Sequence, residues 1–335
     1  MTGFLASSDR IVTVFGGSGF IGRHLVRALA SEGWRVRVAT RRPDLAYDLQ
    51  PLGKVGQIHS VQANIRYPDS LAAALQGAEA AVNLVGILAE TGKQTFERVQ
   101  SQGAAAVAEA VQRAGISKFV HFSAIGADAA SASSYGRSKA AGEAAVFSNL
   151  PQANVLRPSV VFGPEDQFFN RFASMARLLA ALPLIGGGAT KLQPVYVGDV
   201  AEAAVRILSG QGKPGIVYEL GGPSIRTMRE IMEFVLSVTQ RHRILAPISF
   251  GVAAKIGVVS NFANKVLLGL VPDELSLTAD QVELLKYDNI VSVSAIAEER
   301  TLEALGITAE SIETIVPAYL YRFRKCGQFA DQRAV

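Results

Sequence analysis

A chain of 335 residues, 49% hydrophobic and 19% charged, can bury a large core and is too apolar to be a disordered polyelectrolyte. Its net charge of +4 is too small to argue for a nucleic-acid partner, while a pI near 9.2 is permissive for an anionic cofactor or membrane surface. The single cysteine, Cys326, excludes an internal disulfide, and Met1 to Arg10 lacks the apolar core of a secretion signal and the arginine-rich character of a transit peptide, so cytosolic synthesis and residence are expected.

Ile11 to Phe15 is an apolar, β-branched run that reads as a buried strand. A glycine turn follows, Gly16-Gly17-Ser18-Gly19-Phe20-Ile21-Gly22, and then apolar residues at helical spacing through Leu29. Strand, glycine turn and helix in that order form the opening of a dinucleotide-binding βαβ unit. Gly16, Gly19 and Gly22 let the turn tighten and backbone approach a pyrophosphate, with Ser18, Phe20 and Ile21 completing the turn and the helix start. The helix N-terminus offers unpaired N–H groups and a partial positive charge to the phosphates.

Trp34 to Thr40 reads as the second strand. NAD-preferring sites place an acid near its end, to bind the ribose 2′-hydroxyl. Here Thr40, Arg41 and Arg42 stand there instead, which favours NADP(H), because a guanidinium binds a 2′-phosphate that a carboxylate would repel. A third strand, Ile58 to Ala63, ends at Asn64, placed for an adenine edge, and a short helix is expected over Leu71 to Leu75. The fourth strand, Ala80 to Gly86, brings Val85 and Gly86 to the cofactor side. Phe96 to Ala114 reads as one alanine-rich helix. The fifth strand, Lys118 to Ser123, delivers Ser123 at the carboxyl edge where ligands of open α/β sheets bind.

Tyr135 and Lys139 follow at i, i+4, on one face of an expected helix. A free tyrosine, with a pKa of about 10, is a poor base at neutral pH, and a neighbouring ammonium favours its phenolate. Ser123 would hold a substrate oxygen. Further on, Phe168 to Leu182 reads as an amphipathic helix and 183–188 as a loop able to cover a pocket. Ile216 to Leu220 reads as a strand and Met228 to Thr239 as a helix. Ile244 to Val271 is apolar except for Lys255 and Lys265. Its longest charge-free run, Ile244 to Ala254, falls short of the roughly 20 residues of a spanning helix, which leaves a core helix or an amphipathic segment on lipid or a partner. Asp280 to Lys286 reads as helical, Ile290 to Ala295 as extended, and the tail Tyr321 to Lys325 as a basic, aromatic helix end suited to solvent or to an anionic lipid. His24, His59, His121, His242 and Cys326 show no metal-ligand spacing.

Over residues 10 to 225 the chain resembles the extended or atypical short-chain dehydrogenase/reductase superfamily, related to nucleotide-sugar epimerases. Leu156 to Pro164 is similar to the strand and turn that close the nicotinamide end, which adds Pro158 and Val160 to the cofactor residues. Gln193 to Ala201 resembles the return to the core after the first substrate-lobe insertion. The implied fold class is α/β, a doubly wound parallel sheet (10–162 and 191–222) with a smaller lobe (163–190 and 223–335). The runs Tyr47 to Gly56, Phe168 to Met175 and Gln193 to Val197 are similar to the branch of nucleotide-binding accessory subunits of respiratory complex I and their bacterial relatives. That resemblance implies an NADPH held rather than turned over. It also implies other complex I subunits of the peripheral arm near the membrane as partners. The implied location is peripheral, at the cytoplasmic face of a bacterial inner membrane or the matrix side in a mitochondrion. Two departures from catalytic relatives agree with it: Gln100 stands where extended members carry an asparagine of the proton relay, and Ile87-Leu88 where many epimerases have polar residues. Ser123, Tyr135 and Lys139 remain, so the other implied reading is a free NADP-dependent reductase or epimerase.

Overall fold

Ile11–Phe15, β-branched throughout but for its closing phenylalanine, forms strand β1 with four of its five side chains buried. The computed structural model describes residues 10–255, 278–325 and 327. After β1 come helix α1 (Phe20–Ser31), β2 (Arg35–Thr40), β3 (Ile58–Gln62), α2 (Pro68–Leu75) and β4 (Ala80–Asn83). Then follow α3 (Gln102–Arg113), β5 (Lys118–Phe122), α4 (Ser134–Asn149) and β6 (Asn154–Pro158). Gly22, Leu25, Val26, Leu29 and Ala30 are the buried face of α1, the i, i+3, i+4, i+7 spacing of an amphipathic helix.

The seven-stranded sheet runs in the order Val217–Leu220, β6, β5, β4, β1, β2, β3, with every pairing parallel. The chain goes from β1 to β2 on one side and later lays β4 on the other, so the doubly wound sheet has its switch point at β1. One face of the sheet packs a core of Phe15, Leu71, Leu75, Val107, Val111, Phe119 and Val146. Each such side chain, fully buried, stabilises by about 1.5–3 kcal/mol. The helix Val197–Leu208 packs against α1.

This first unit comprises Met1–Pro158, Val197–Leu220 and Ser292–Thr308. The sequence places 292–308 in the smaller lobe, yet Ser292 N–H donates to the Glu219 carboxylate (2.7 Å) and Arg300 Nη1 to Val217 O (2.7 Å), which tie the segment to the sheet edge.

The second unit, Ser159–Tyr196, Gly221–Val291 and Ala309–Val335, has its own core of Phe162, Phe169, Leu184, Ile231, Val235 and Leu320. Asp166 organises its first loop, accepting from the N–H groups of Gly163, Phe168 and Asn170 and from Tyr319 Oη (2.6 Å).

Several elements differ from the sequence reading. The helix expected over Phe168 to Leu182 ends at Leu178, and Ala181–Ile185 is a strand paired in parallel with Ile244–Ile248. That pairing replaces the expected loop at 183–185, and it replaces a helix at the start of the apolar stretch; residues 250–255 are helical and 256–271 lie outside the described residues. Val293–Ala297 is helical rather than extended, because Ser292 caps it by accepting from Ala295 N–H. The helix before β5 begins with a π turn, Glu97–Ser101. Among the described residues no helix is long and apolar enough to cross a membrane.

Candidate functional site

The site is built at the carboxyl end of β1. Gly16 adopts φ +80° and its N–H donates to Ala39 O (3.1 Å), which turns the chain out of β1 while holding it to β2. Gly22 closes the turn from the helix side: a Cβ there would lie 2.6 Å from Gly16 O and from Gly17 backbone, so only glycine allows this approach. Gly19 is the opposite case. It is exposed, and an added Cβ would meet only Gly16 O, at 3.3 Å, so the space over it is open. The first turn of α1 carries no acid, which leaves its N-terminal field for an anion. Phe20 stands edge-on to His24 at 5.8 Å, and Ile21 is partly buried beside it.

At the end of β2, Ser18 and Thr40 hydroxyls lie 3.3 Å apart. The two arginines beyond differ. Arg42 donates to the Asp44 carboxylate (2.9 Å), whereas Arg41 Nη1 donates to the neutral side-chain oxygen of Gln94 (2.9 Å). Arg41 is therefore the cation better placed to meet an added phosphate. Asn64 turns its oxygen to Arg66 N–H (3.1 Å), fixing the turn before α2. Val85 N–H donates to Asn83 Oδ1 (3.1 Å), and a methyl on Gly86 would stand 3.4 Å from Lys139 Nζ, so this loop runs close to the α4 lysine. Pro158, at the end of β6, accepts from Ile125 N–H (3.1 Å). Val160 lies in the second unit, its carbonyl accepting from Val195 N–H (3.0 Å).

Helix α4 is capped by Ser133, whose hydroxyl accepts from Gly136 N–H (3.2 Å), and it carries Tyr135 and Lys139 as the spacing predicts. Tyr135 packs edge-on against Phe96, centroids 5.7 Å apart, and Lys139 Nζ stands 5.9 Å from the Tyr135 ring centroid. Lys139 is buried and donates to Phe122 O (3.1 Å). Burial pushes its pKa down to about 8, opposed by the nearby Glu143 carboxylate. Ser123 is 5% exposed and its hydroxyl finds no partner within the described protein.

His121 is a site group with no clear signal in the sequence. His121, two residues before Ser123 on β5, meets Asn83 Nδ2 through Nδ1 (3.2 Å), while its Nε2 is buried without a partner. Burial, and then the Lys139 charge, push its pKa down to about 3, so it is neutral at physiological pH. Gln100, inside the π turn, donates from Nε2 to Ile87 O (2.6 Å) and accepts from Ser138 Oγ (2.8 Å). Both ends of the amide are thus spent on fastening α4 to the loop after β4. In the basic tail, Arg322 donates to Asn170 Oδ1 (2.6 Å) and Arg324 to Val238 O (3.0 Å). No group of three or more metal-ligating side chains occurs among the described residues.

An open glycine cradle, an unopposed helix N-terminus, a cation at the end of β2 and an orphaned buried hydroxyl together fit a nicotinamide dinucleotide. The family model described as "NAD dependent epimerase/dehydratase family" matches residues 12–221. NADH dehydrogenase (ubiquinone) 1 alpha subcomplex subunit 9, mitochondrial, of Arabidopsis thaliana is 35% identical over 324 residues, 96% of this chain and 79% of that protein. Ceramide reductase of Caulobacter vibrioides is 34% identical over 195 residues, 58% of this chain and 60% of its own. The UDP-glucose 4-epimerase of Thermotoga maritima, solved with UDP-glucose, is 17% identical with a TM-score of 0.66, covering 94% of this chain and 99% of that one, and shares its fold.

Proposed function

The chain belongs to the NAD dependent epimerase/dehydratase family, and on that premise we propose that it is an NADPH-binding accessory subunit of respiratory complex I whose nucleotide is held rather than turned over. The observation that carries this reading is the reach of the similarity. Likeness to the plant alpha subcomplex subunit runs over 96% of the chain, through both units, whereas likeness to ceramide reductase covers 58%. The partners are then other complex I subunits, and the location is peripheral on the membrane face that carries them. Arg322 and Arg324 bond within their own unit, which favours a solvated helix end over an anionic-lipid contact for that tail.

Gly16, Ser18, Gly19, Phe20, Ile21 and Gly22 would cradle the pyrophosphate, and Thr40 and Arg41 would meet the 2′-phosphate, with Arg42 in reserve on Asp44. Asn64 would line the adenosine side, Val85 and Gly86 would let backbone come close to the cofactor beside Lys139, and Pro158 would line the nicotinamide end. When bound, a nicotinamide supplies hydride chemistry. Gln100 supports the non-catalytic role, since its amide clamps α4 instead of standing ready for a relay water. Replacing Arg41 with alanine should weaken NADPH about ten- to a hundredfold, the loss of one charged hydrogen bond of about 1.5–3 kcal/mol, and leave NADH nearly unchanged. Titration of both nucleotides against both proteins checks it; equal affinity of the wild type for the two would end the NADPH assignment.

One observation favours a second reading, an NADP-dependent reductase. Ser123 keeps an orphaned hydroxyl, and Tyr135 and Lys139 share one face of α4. Two variants separate the readings. Gly19→Val fills the open cradle, and its Cβ would meet only Gly16 O, at 3.3 Å, so the chain should fold, lose the nucleotide and fail to assemble with complex I. Tyr135→Phe should leave assembly and respiration intact. The tagged chain, purified from its native membrane in mild detergent, should bring complex I subunits with it. Loss of function in Tyr135→Phe with NADPH still bound would instead establish the reductase.

A further inference from the structure

Resting on the dinucleotide reading above, we propose that Gln94 is a positioning residue that sets both retention and 2′-phosphate preference, by fastening the loop after β4 to the cation at the end of β2. The sheet order makes the argument. β1 lies between β4 and β2, so its glycine turn sits in a trough flanked by the loops that leave those two strands. The hydrogen bond from Arg41 Nη1 to Gln94 Oε1, 2.9 Å long and joining residues 53 apart in the chain, spans that trough from one loop to the other. A dinucleotide with its pyrophosphate on the glycine turn and its adenosine towards β2 lies in the same trough. It enters or leaves most easily when this bond is open.

The loop reaches that place through its own bonds. Thr91 and Gln94 exchange both backbone N–H···O bonds at 3.0 Å, and Glu90 Oε1 accepts from Phe96 N–H at 2.8 Å. Gln94 is thereby carried on a closed turn rather than on a slack strand of chain. The chemistry of the acceptor matters as well. A guanidinium has five donors in a fixed plane. A neutral amide oxygen takes one of them and fixes the plane without cancelling the charge, which leaves the other donors and the full positive charge for a phosphate. Arg42, bound to the Asp44 carboxylate, shows the contrasting arrangement one residue away.

The test uses the full-length purified chain, with NADPH and NADH affinities from nicotinamide fluorescence and NADPH dissociation followed by stopped-flow chase with excess NADP⁺. Gln94→Ala should speed NADPH release about three- to tenfold, the effect of one partly exposed hydrogen bond. Gln94→Glu places a carboxylate on Arg41 and beside the 2′-phosphate. It should weaken NADPH by at least about tenfold while NADH stays within about twofold. Unchanged NADPH affinity and release in both variants, with Arg41→Ala still impaired, would overturn the clasp and leave the cofactor reading standing. A wild-type chain that binds neither nucleotide would overturn both.

Discussion

Arg157→Ala is expected to cost about 3–5 kcal/mol of stability at neutral pH, because it strands a buried carboxylate. Glu143, one turn beyond Lys139 on α4, has a side chain only 7% exposed, and Arg157 on β6 grips it with two bonds, Nε at 2.8 Å and Nη2 at 2.6 Å. A second carboxylate, Glu219 on the neighbouring edge strand, stands 3.7 Å from the same guanidinium. One cation therefore holds two acids from a helix and a strand against its own strand. The pair as a whole adds less than this figure, since both ions gave up water to be buried; the penalty belongs to breaking it. Removing both partners, as Glu143→Leu with Arg157→Met, should recover most of the loss. Urea denaturation of the two variants beside the wild type decides the cause. If the double variant is as unstable as Arg157→Ala, the loss does not come from stranding Glu143.

The glycine turn and the Tyr135–Lys139 pair were legible in the sequence because each is written in a few adjacent residues with a local physical meaning. β1, its turn and α1 need only a short apolar run, three glycines and helical spacing, and all lie where the pattern puts them. Ser123 was reachable as the end of a strand, since the carboxyl edge of a parallel sheet is a position and not a contact. The unread features depend on partners far along the chain. Ala181–Ile185 is a strand because Ile244–Ile248 lies beside it, and five residues with a proline in the middle say nothing of that partner. Gln94 is an ordinary polar loop residue until the sheet order brings Arg41 to it. Gln100 read as a departure from a family pattern, and only the π turn shows that both ends of its amide are bonded.

Lys139→Met should make the chain more stable in the absence of nucleotide, while weakening whatever ligand that ammonium serves. Lys139 is 6% exposed, and its ammonium donates to the neutral carbonyl of Phe122. Burial brings its pKa from 10.5 to about 8, a difference worth about 3 kcal/mol against the protonated form in the folded state. Methionine fills a similar volume without charge. Subtracting the lost bond of about 1 kcal/mol leaves an expected gain of about 1–3 kcal/mol at pH 7. The sign of the pH dependence follows from the lowered pKa. Below about 8 the lysine is protonated whether folded or unfolded, and the burial penalty is fully present. Between about 8 and 10.5 the unfolded chain holds the extra proton, so wild-type stability gains on the variant as pH rises through that window. The advantage of methionine should therefore be largest at pH 7 and fade towards pH 10.5. Paired urea melts at pH 7 and pH 10 measure it, and a pH-independent difference would mean that the lysine carries no burial penalty to relieve. A residue whose removal stabilises the empty protein is one retained for its contact with a ligand. The same melts in saturating NADPH should accordingly narrow or reverse the gap, because a ligand that binds the folded wild type more tightly stabilises it by RT ln(1 + [L]/Kd).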